Sequence, residues 1–262
     1  MSDPFSKDWF PSAEDANPVR AAQVGMKPTL PKRFYREAGV EEHDGAFRLV
    51  LDGKPARTPA GRPLSFPKRV LAQAVASEWS EVRDEIDPAA MPVTRLVNTV
   101  IDGVSERRPE IVEDLVRFAG SDLVCYRAGE PVRLAEEQEK AWAPVLAYAR
   151  ECLGARFDLA EGVMHISQPA ESLGAIRAAL EQVASPFALG ALHVMTTLTG
   201  SVLVALAHAG GVLGADEAWS AAHVDERFQE SVWGADEEAQ ARRAQRWREF
   251  EAASIVYRLT SE

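Results

Sequence analysis

From Gln182 to Ala215 the chain contains no Asp, Glu, Lys or Arg. Elsewhere charge is plentiful, at 26% of all residues with a formal net charge of -11. A run of about 20 apolar residues spans a bilayer, so this gap has to be tested as a membrane segment. It fails on composition. Thr196, Thr197, Thr199 and Ser201 dilute it, His193 and His208 lie inside it, and Pro186, Gly190, Gly200 and the pair Gly210-Gly211 interrupt it. No cluster of Lys or Arg flanks it to set an orientation. Its Gly190, Ala191, Gly200, Ser201, Ala205 and Ala209 suit close packing on other helices. The stretch is predicted to be a buried core helix or a broken pair, with no membrane insertion.

Cysteine is also scarce. Cys125 and Cys152 form no CxxC pair, and each sits among apolar neighbours, as small buried hydrophobes in a reducing compartment do. Basic residues are outnumbered, 29 Lys and Arg against 40 Asp and Glu, and the pI is near 5.1. That excludes a general nucleic-acid binder, which needs a basic face to displace counterions. HExxH, GxSxG, Walker A and GxGxxG patterns are all missing, so no standard motif calls for a bound nucleotide, a cofactor or a metal centre. The first residues lack the apolar core of a secretory signal, and Asp3, Asp8, Glu14 and Asp15 are foreign to transit peptides. The expectation is a cytoplasmic protein.

The 262 residues divide by local pattern into three stretches. Residues 1–30 mix Pro, Asp, Ser and Lys without periodicity and read as a mobile arm, in which Phe5, Trp9 and Phe10 are the aromatic exceptions. Residues 31–90 read as a β-rich domain with one helix. Short strands are predicted at Arg33-Phe34-Tyr35-Arg36, at Ala46–Leu51 and at Lys54–Thr58, the last two joined by the hairpin signal Asp52-Gly53. Another is predicted at 63–66, after which Pro67 opens a helix whose apolar face carries Val70, Leu71, Val75, Ala76 and Trp79. Trp79 is expected to lock that helix onto the strands as a core residue. Residues 91–262 read as helical almost throughout, apart from a strand pair expected around Glu161-Gly162. The fold class expected is α+β, with a small β-rich N-terminal domain followed by a larger helical one.

Three polar clusters stand out. Thr94 is placed to cap a helix on which Arg95, Asn98 and Asp102 recur at i, i+3, i+7 beside an apolar stripe, a structural pattern in which a carboxylate or amide pairs with Arg or caps a neighbour. Asp122 is a candidate N-cap. The third cluster follows a single helix expected over residues 216–232: His223, Glu226 and Glu230 fall at i, i+3 and i+7 on one face with Trp233 one turn later, and Glu226, Gln229 and Trp233 line one side. One reading makes His223, Glu226 and Glu230 the carboxylate–imidazole site of a metal-dependent hydrolase, although the helix-bundle Glu-x-x-His order is reversed and no second motif completes a shell. The other makes Glu226, Gln229, Glu230 and Trp233 a partner-binding surface, because Trp anchors ringed by polar groups are typical of interfaces.

Several segments together resemble the ATP12 family of F1-ATPase assembly chaperones. They are residues 91–102, 121–131, Gln138 to Pro144, and Asp225 to Gly234, supported by Arg33-Phe34-Tyr35 and by Ala76-Ser77-Glu78-Trp79. They fall in the family's order from about residue 30 onward. The resemblance implies a protein that is not an enzyme. It implies binding of the unassembled F1 α subunit, whose subunit interface is shielded until the β subunit takes over. It also implies a bacterial, cytoplasmic member, and release by competition, since no nucleotide motif is present to drive it.

Overall fold

The computed structural model describes residues 30–162 and 164–261; the arm's Phe5, Trp9 and Phe10 lie outside them. It separates into two units, one ending at Glu106 and one spanning Arg107–Glu262. The fold is α+β, with a small sheet in the first unit and a helical second unit.

In the first unit two Asp-Gly turns set the sheet. Strand β1 (Ala38–His43) pairs antiparallel with β2 (Ala46–Leu51), from Ala38 opposite Leu51 to His43 opposite Ala46. Asp44 and Gly45 both take positive φ between them (50° and 76°), as do Asp52 (49°) and Gly53 (74°) between β2 and β3 (Lys54–Pro55). Two successive positive φ values define the tight hairpin turn that Asp-Gly favours. Asp52 also accepts the backbone N–H groups of Arg36 at 3.0 Å and Glu37 at 2.9 Å, which holds its carboxyl below the usual carboxylate range. Strand β4 (Ser65–Phe66) extends the same side of β2, with Phe66 opposite Phe47.

Helix α1 (Arg69–Glu81) packs on β1, β2 and β4 and buries Leu71, Ala72, Val75 and Ala76. The sheet contributes Leu49, Leu51, Leu64 and Phe66 to this core. Helix α2 (Pro92–Thr99) and the π-helical turn Val100–Val104 that follows belong to the same unit. The unit therefore extends past residue 90, where the strand-like composition stops. The expected cap also changes hands: Thr94 lies inside the first turn of α2, and the Glu78 carboxylate of α1 accepts from Val93 N–H at 2.8 Å and Thr94 N–H at 2.7 Å. A carboxylate at a helix N-terminus satisfies orphan donors and meets the positive end of the dipole.

The second unit is built around the uncharged stretch, which is a broken pair. Helix α6 (Pro186–Thr199) ends at Gly200, whose φ of 69° reverses the chain, and Ser201 caps α7 (Val202–Ala209) by accepting from Val204 N–H at 2.9 Å. Around this pair lie α3 (Arg108–Ala119), α4 (Val132–Cys152), α5 (Ala170–Glu181), α8 (Ala215–Ala222), α9 (Val224–Trp233) and α10 (Glu237–Thr260). Helix α10 runs along α6. Trp142, Ile176, Leu180, Leu189, Leu192, Met195 and Phe250 are fully buried. Among the described residues no helix is long and apolar enough to cross a membrane.

Three local expectations are corrected. Arg33–Arg36 is not a strand; Arg33 N–H donates to Asp84 O at 2.8 Å, while Tyr35 turns inward. The expected strand pair around Glu161-Gly162 is instead one short strand, β6 (Ala160–Glu161), pairing in parallel with β5 (Tyr126–Arg127). Cys125 is buried as expected, and burial pushes its thiol up to about 12, but Cys152 is exposed at the last residue of α4.

Candidate partner-binding surface

The single helix expected over residues 216–232 is broken at His223. That residue leaves helical geometry (φ −118°, ψ 30°) and separates α8 from α9. Its ring is buried and lies 4.0 Å from the Trp219 ring, centroid to centroid. Its Nδ1–H donates to Trp219 O at 2.8 Å. Desolvation pushes its pKa below the ordinary histidine value, so the ring is held neutral.

Helix α9 buries only Val224. It is held by contacts that leave one side open. Asp225 Oδ1 accepts from Gln138 Nε2 at 2.7 Å, and the buried Gln138 in turn accepts from Ala128 N–H at 2.8 Å. Arg133 lies over the Phe228 ring at 5.5 Å. Arg243 of α10 grips Glu230 with both terminal nitrogens at 2.8 Å, a fork geometry that holds the Glu230 carboxyl below the usual range. Just upstream, Trp142 Nε1 donates to Ala221 O at 2.7 Å and fixes the end of α8 on α4.

What remains outward is Glu226, Gln229 and Trp233, at i, i+3 and i+7 on the side away from Val224. Trp233 is 86% exposed, with the exposed Val232 beside it. Neither side chain contributes to the core. Beside α9 a groove of about 600 Å³ runs along α4 and α8, edged by Lys140, Glu217 and Arg227. The sequence pattern did not single out Lys140 or Arg227, because each reads as an ordinary solvated charge.

The other site residues take structural places. Glu230 is paired with Arg243, whereas Glu226, Gln229 and Trp233 are exposed. His223 is buried with its Nδ1 on Trp219 O and Glu230 is held by Arg243, so the hydrolase triad does not gather; the reversed motif fails because its histidine sits at a helix break. Among the described residues no three His, Cys, Asp or Glu side chains gather as a metal ion needs. Asp122 is fully buried and caps two elements at once: the 3-10 turn Leu123–Cys125 through Val124 N–H at 3.2 Å, and α7 through Leu203 N–H at 3.0 Å. Asp102, in the π-helical turn after α2, accepts the Thr58 hydroxyl at 2.6 Å and Ala60 N–H at 3.2 Å, tying that turn to the loop before β4. Arg95 and Asn98 are half-buried on α2. Trp79 is a correction: it is half-buried at the end of α1, and the buried place is taken by Tyr35, whose ring packs against it at 5.5 Å and whose hydroxyl donates to Trp79 O at 2.6 Å.

Comparison with known proteins places these features in context. Residues 32–150 match the family described as ATP12 chaperone protein. The protein named "Protein atp12, mitochondrial" of Schizosaccharomyces pombe is 25% identical over 221 residues, 79% of this chain and 75% of that protein. The crystal structure of Atp12 from Paracoccus denitrificans superposes with a TM-score of 0.81 at 36% identity, covering 88% of this chain and 98% of that one. A chaperone candidate from Agrobacterium tumefaciens superposes with a TM-score of 0.85 at 46% identity, covering 97% of this chain and 94% of that one.

Proposed function

The chain belongs to the ATP12 chaperone family, which is not a family of enzymes, and from that premise we propose that it binds the unassembled α subunit of the F1 sector of ATP synthase. In this reading it acts in the bacterial cytoplasm, covers the α surface that later meets β, and yields that surface by exchange. The observation that carries the reading is Trp233, 86% exposed on a helix face with Glu226 and Gln229 that contributes nothing to the core.

An exchangeable chaperone needs an apolar anchor for affinity and charged groups around it for steering and release. Trp233 with Val232 supplies the anchor, and Glu226 supplies a negative group suited to a basic patch on the client. Because α9 is tethered through Asp225, Phe228 and Glu230, its outward face is presented on a fixed element, which lowers the ordering cost of binding. Competition by β then requires only that the β contact be larger or better paired than this one.

The test is co-purification of the chain with isolated F1 α subunit, and suppression of α aggregation in solution. The expected result is a complex with free α and little binding to the assembled hexamer. Recovery of the intact F1 sector, with free α never bound, would overturn the reading.

A further inference from the structure

The first unit holds a groove of about 350 Å³ whose lining includes Phe34, Tyr35, Trp79, Lys54 and Arg57. Phe34 stands 73% exposed at its side, edge-on to Tyr35 at 5.4 Å. The Trp79 indole N–H is buried and has no acceptor. The Trp79 ring is thus the inner wall of the groove, with its N–H behind it.

The charge around the groove is positive within an acidic chain. Lys54 is exposed. Arg57 is exposed, and its guanidinium donates to Gly61 O at 2.8 Å. Arg33 lies over the Tyr35 ring at 4.8 Å and donates to the carbonyls of Tyr35, Val82 and Arg36, so its charge is placed rather than neutralised. The one acid in the lining, Asp52, has its carboxylate engaged by backbone N–H groups of Arg36 and Glu37. A cavity with aromatic walls and cations at its lip selects an apolar group next to a carboxylate.

We propose that this groove is a docking site for an extended segment of a partner protein in which carboxylates alternate with apolar side chains. The apolar side chain lies against Phe34, Tyr35 and Trp79, and the flanking carboxylates meet Lys54 and Arg57. The site stands apart from the reading of α9, rests on different residues and fits the opposite charge.

The full chain, labelled with nitrogen-15, provides the test, with the Trp79 indole N–H resonance identified by its loss in Trp79→Phe. Two peptides serve as probes, acetyl-Leu-Glu-Phe-Asp-Leu-Glu-amide and its counterpart with Lys at every acidic position. The acidic peptide is expected to shift the Trp79 resonance to saturation, the basic one to leave it in place. Lys54→Glu combined with Arg57→Glu, both surface changes, is expected to weaken the acidic peptide at least tenfold, and Phe34→Ala to weaken it as well. No shift, or equal shifts from both peptides, would overturn the proposal. So would a resonance that moves in the peptide-free Trp9→Ala chain, which would make the chain's own N-terminal segment the occupant.

Discussion

The hydroxyl of Ser201 donates to Asp122 Oδ1 at 2.5 Å across 79 residues of sequence, with both residues fully buried. The two caps thus complete each other. Ser201 starts α7 and also supplies a donor to the carboxylate that caps the same helix through Leu203 N–H. The middle of the uncharged stretch is pinned by a buried carboxylate that reaches it from outside, at the Gly200 break where two helix ends need partners.

Burial outweighs these hydrogen bonds and pushes the Asp122 pKa from 3.8 up to about 6. A carboxyl raised on folding contributes stability that is complete below its unfolded pKa and is lost as pH rises through its folded pKa. The loss between about pH 4 and pH 6 is on the order of 3 kcal/mol. Glu78, also raised by burial, acts in the same direction, whereas Asp114 is lowered by its 2.8 Å contact with His193 and acts in the opposite one. Comparing wild type with Asp122→Asn isolates the first term. Asn keeps one acceptor and turns an N–H₂ toward a donor, so the variant should be less stable at every pH. Its denaturation midpoint should also lack the wild-type decline between pH 4 and 7. An unchanged decline would assign the pH dependence to other groups.

Gln138 supports a second prediction. Its amide accepts from Ala128 N–H and donates to Asp225, so it joins the end of β5 to the first turn of α9. Gln138→Leu should cost about 1–3 kcal/mol by leaving those groups without a protein partner. Gln138→Glu should be worse near neutral pH, because it sets a carboxylate against Asp225, and should recover as acid protonates the pair. Urea denaturation at two pH values checks both. A Gln138→Glu chain as stable as wild type at pH 7 would show that Asp225 points elsewhere in solution.

How far the sequence carried these conclusions depends on whether the deciding interaction was local. The Asp52-Gly53 hairpin was legible because two residues determine it. The break at Gly200-Ser201 was among the alternatives because Gly and a capping Ser signal it directly. Strand β1 was not legible: Gly39 and the acidic pair Glu41-Glu42 hide its alternation, and it is a strand because β2 pairs with it. The break at His223 was hidden because helical periodicity continues on both sides. At the break His223 packs on Trp219, a contact that periodicity does not report. Trp79 shares the face of Val75 and Ala76, but Tyr35, 44 residues away, takes the buried place. The role of Glu230 likewise depends on Arg243 of another helix.

That last pairing yields the sharpest test of the proposed function. Glu226 and Glu230 lie one turn apart on α9, carry the same carboxylate, and were equivalent in the sequence pattern. In the structure Glu226 is exposed on the side shared with Gln229 and Trp233, and Glu230 is held in the Arg243 fork. Glu226→Lys should therefore leave circular dichroism and the denaturation midpoint unchanged while weakening α-subunit binding, by roughly 1–3 kcal/mol for the lost charge and more for the reversal. Trp233→Ala should behave in the same way, because an exposed ring gives up no core packing. Glu230→Gln should do the reverse: it loosens α9 from α10, lowers the midpoint, and affects binding only to the extent that α9 is displaced. If Glu226→Lys and Trp233→Ala both bind free α subunit as wild type does, the contact surface is not the outward face of α9. If Glu230→Gln alone abolishes binding with no change in stability, Glu230 leaves Arg243 to meet the client, and the fork is a resting pair that the client opens.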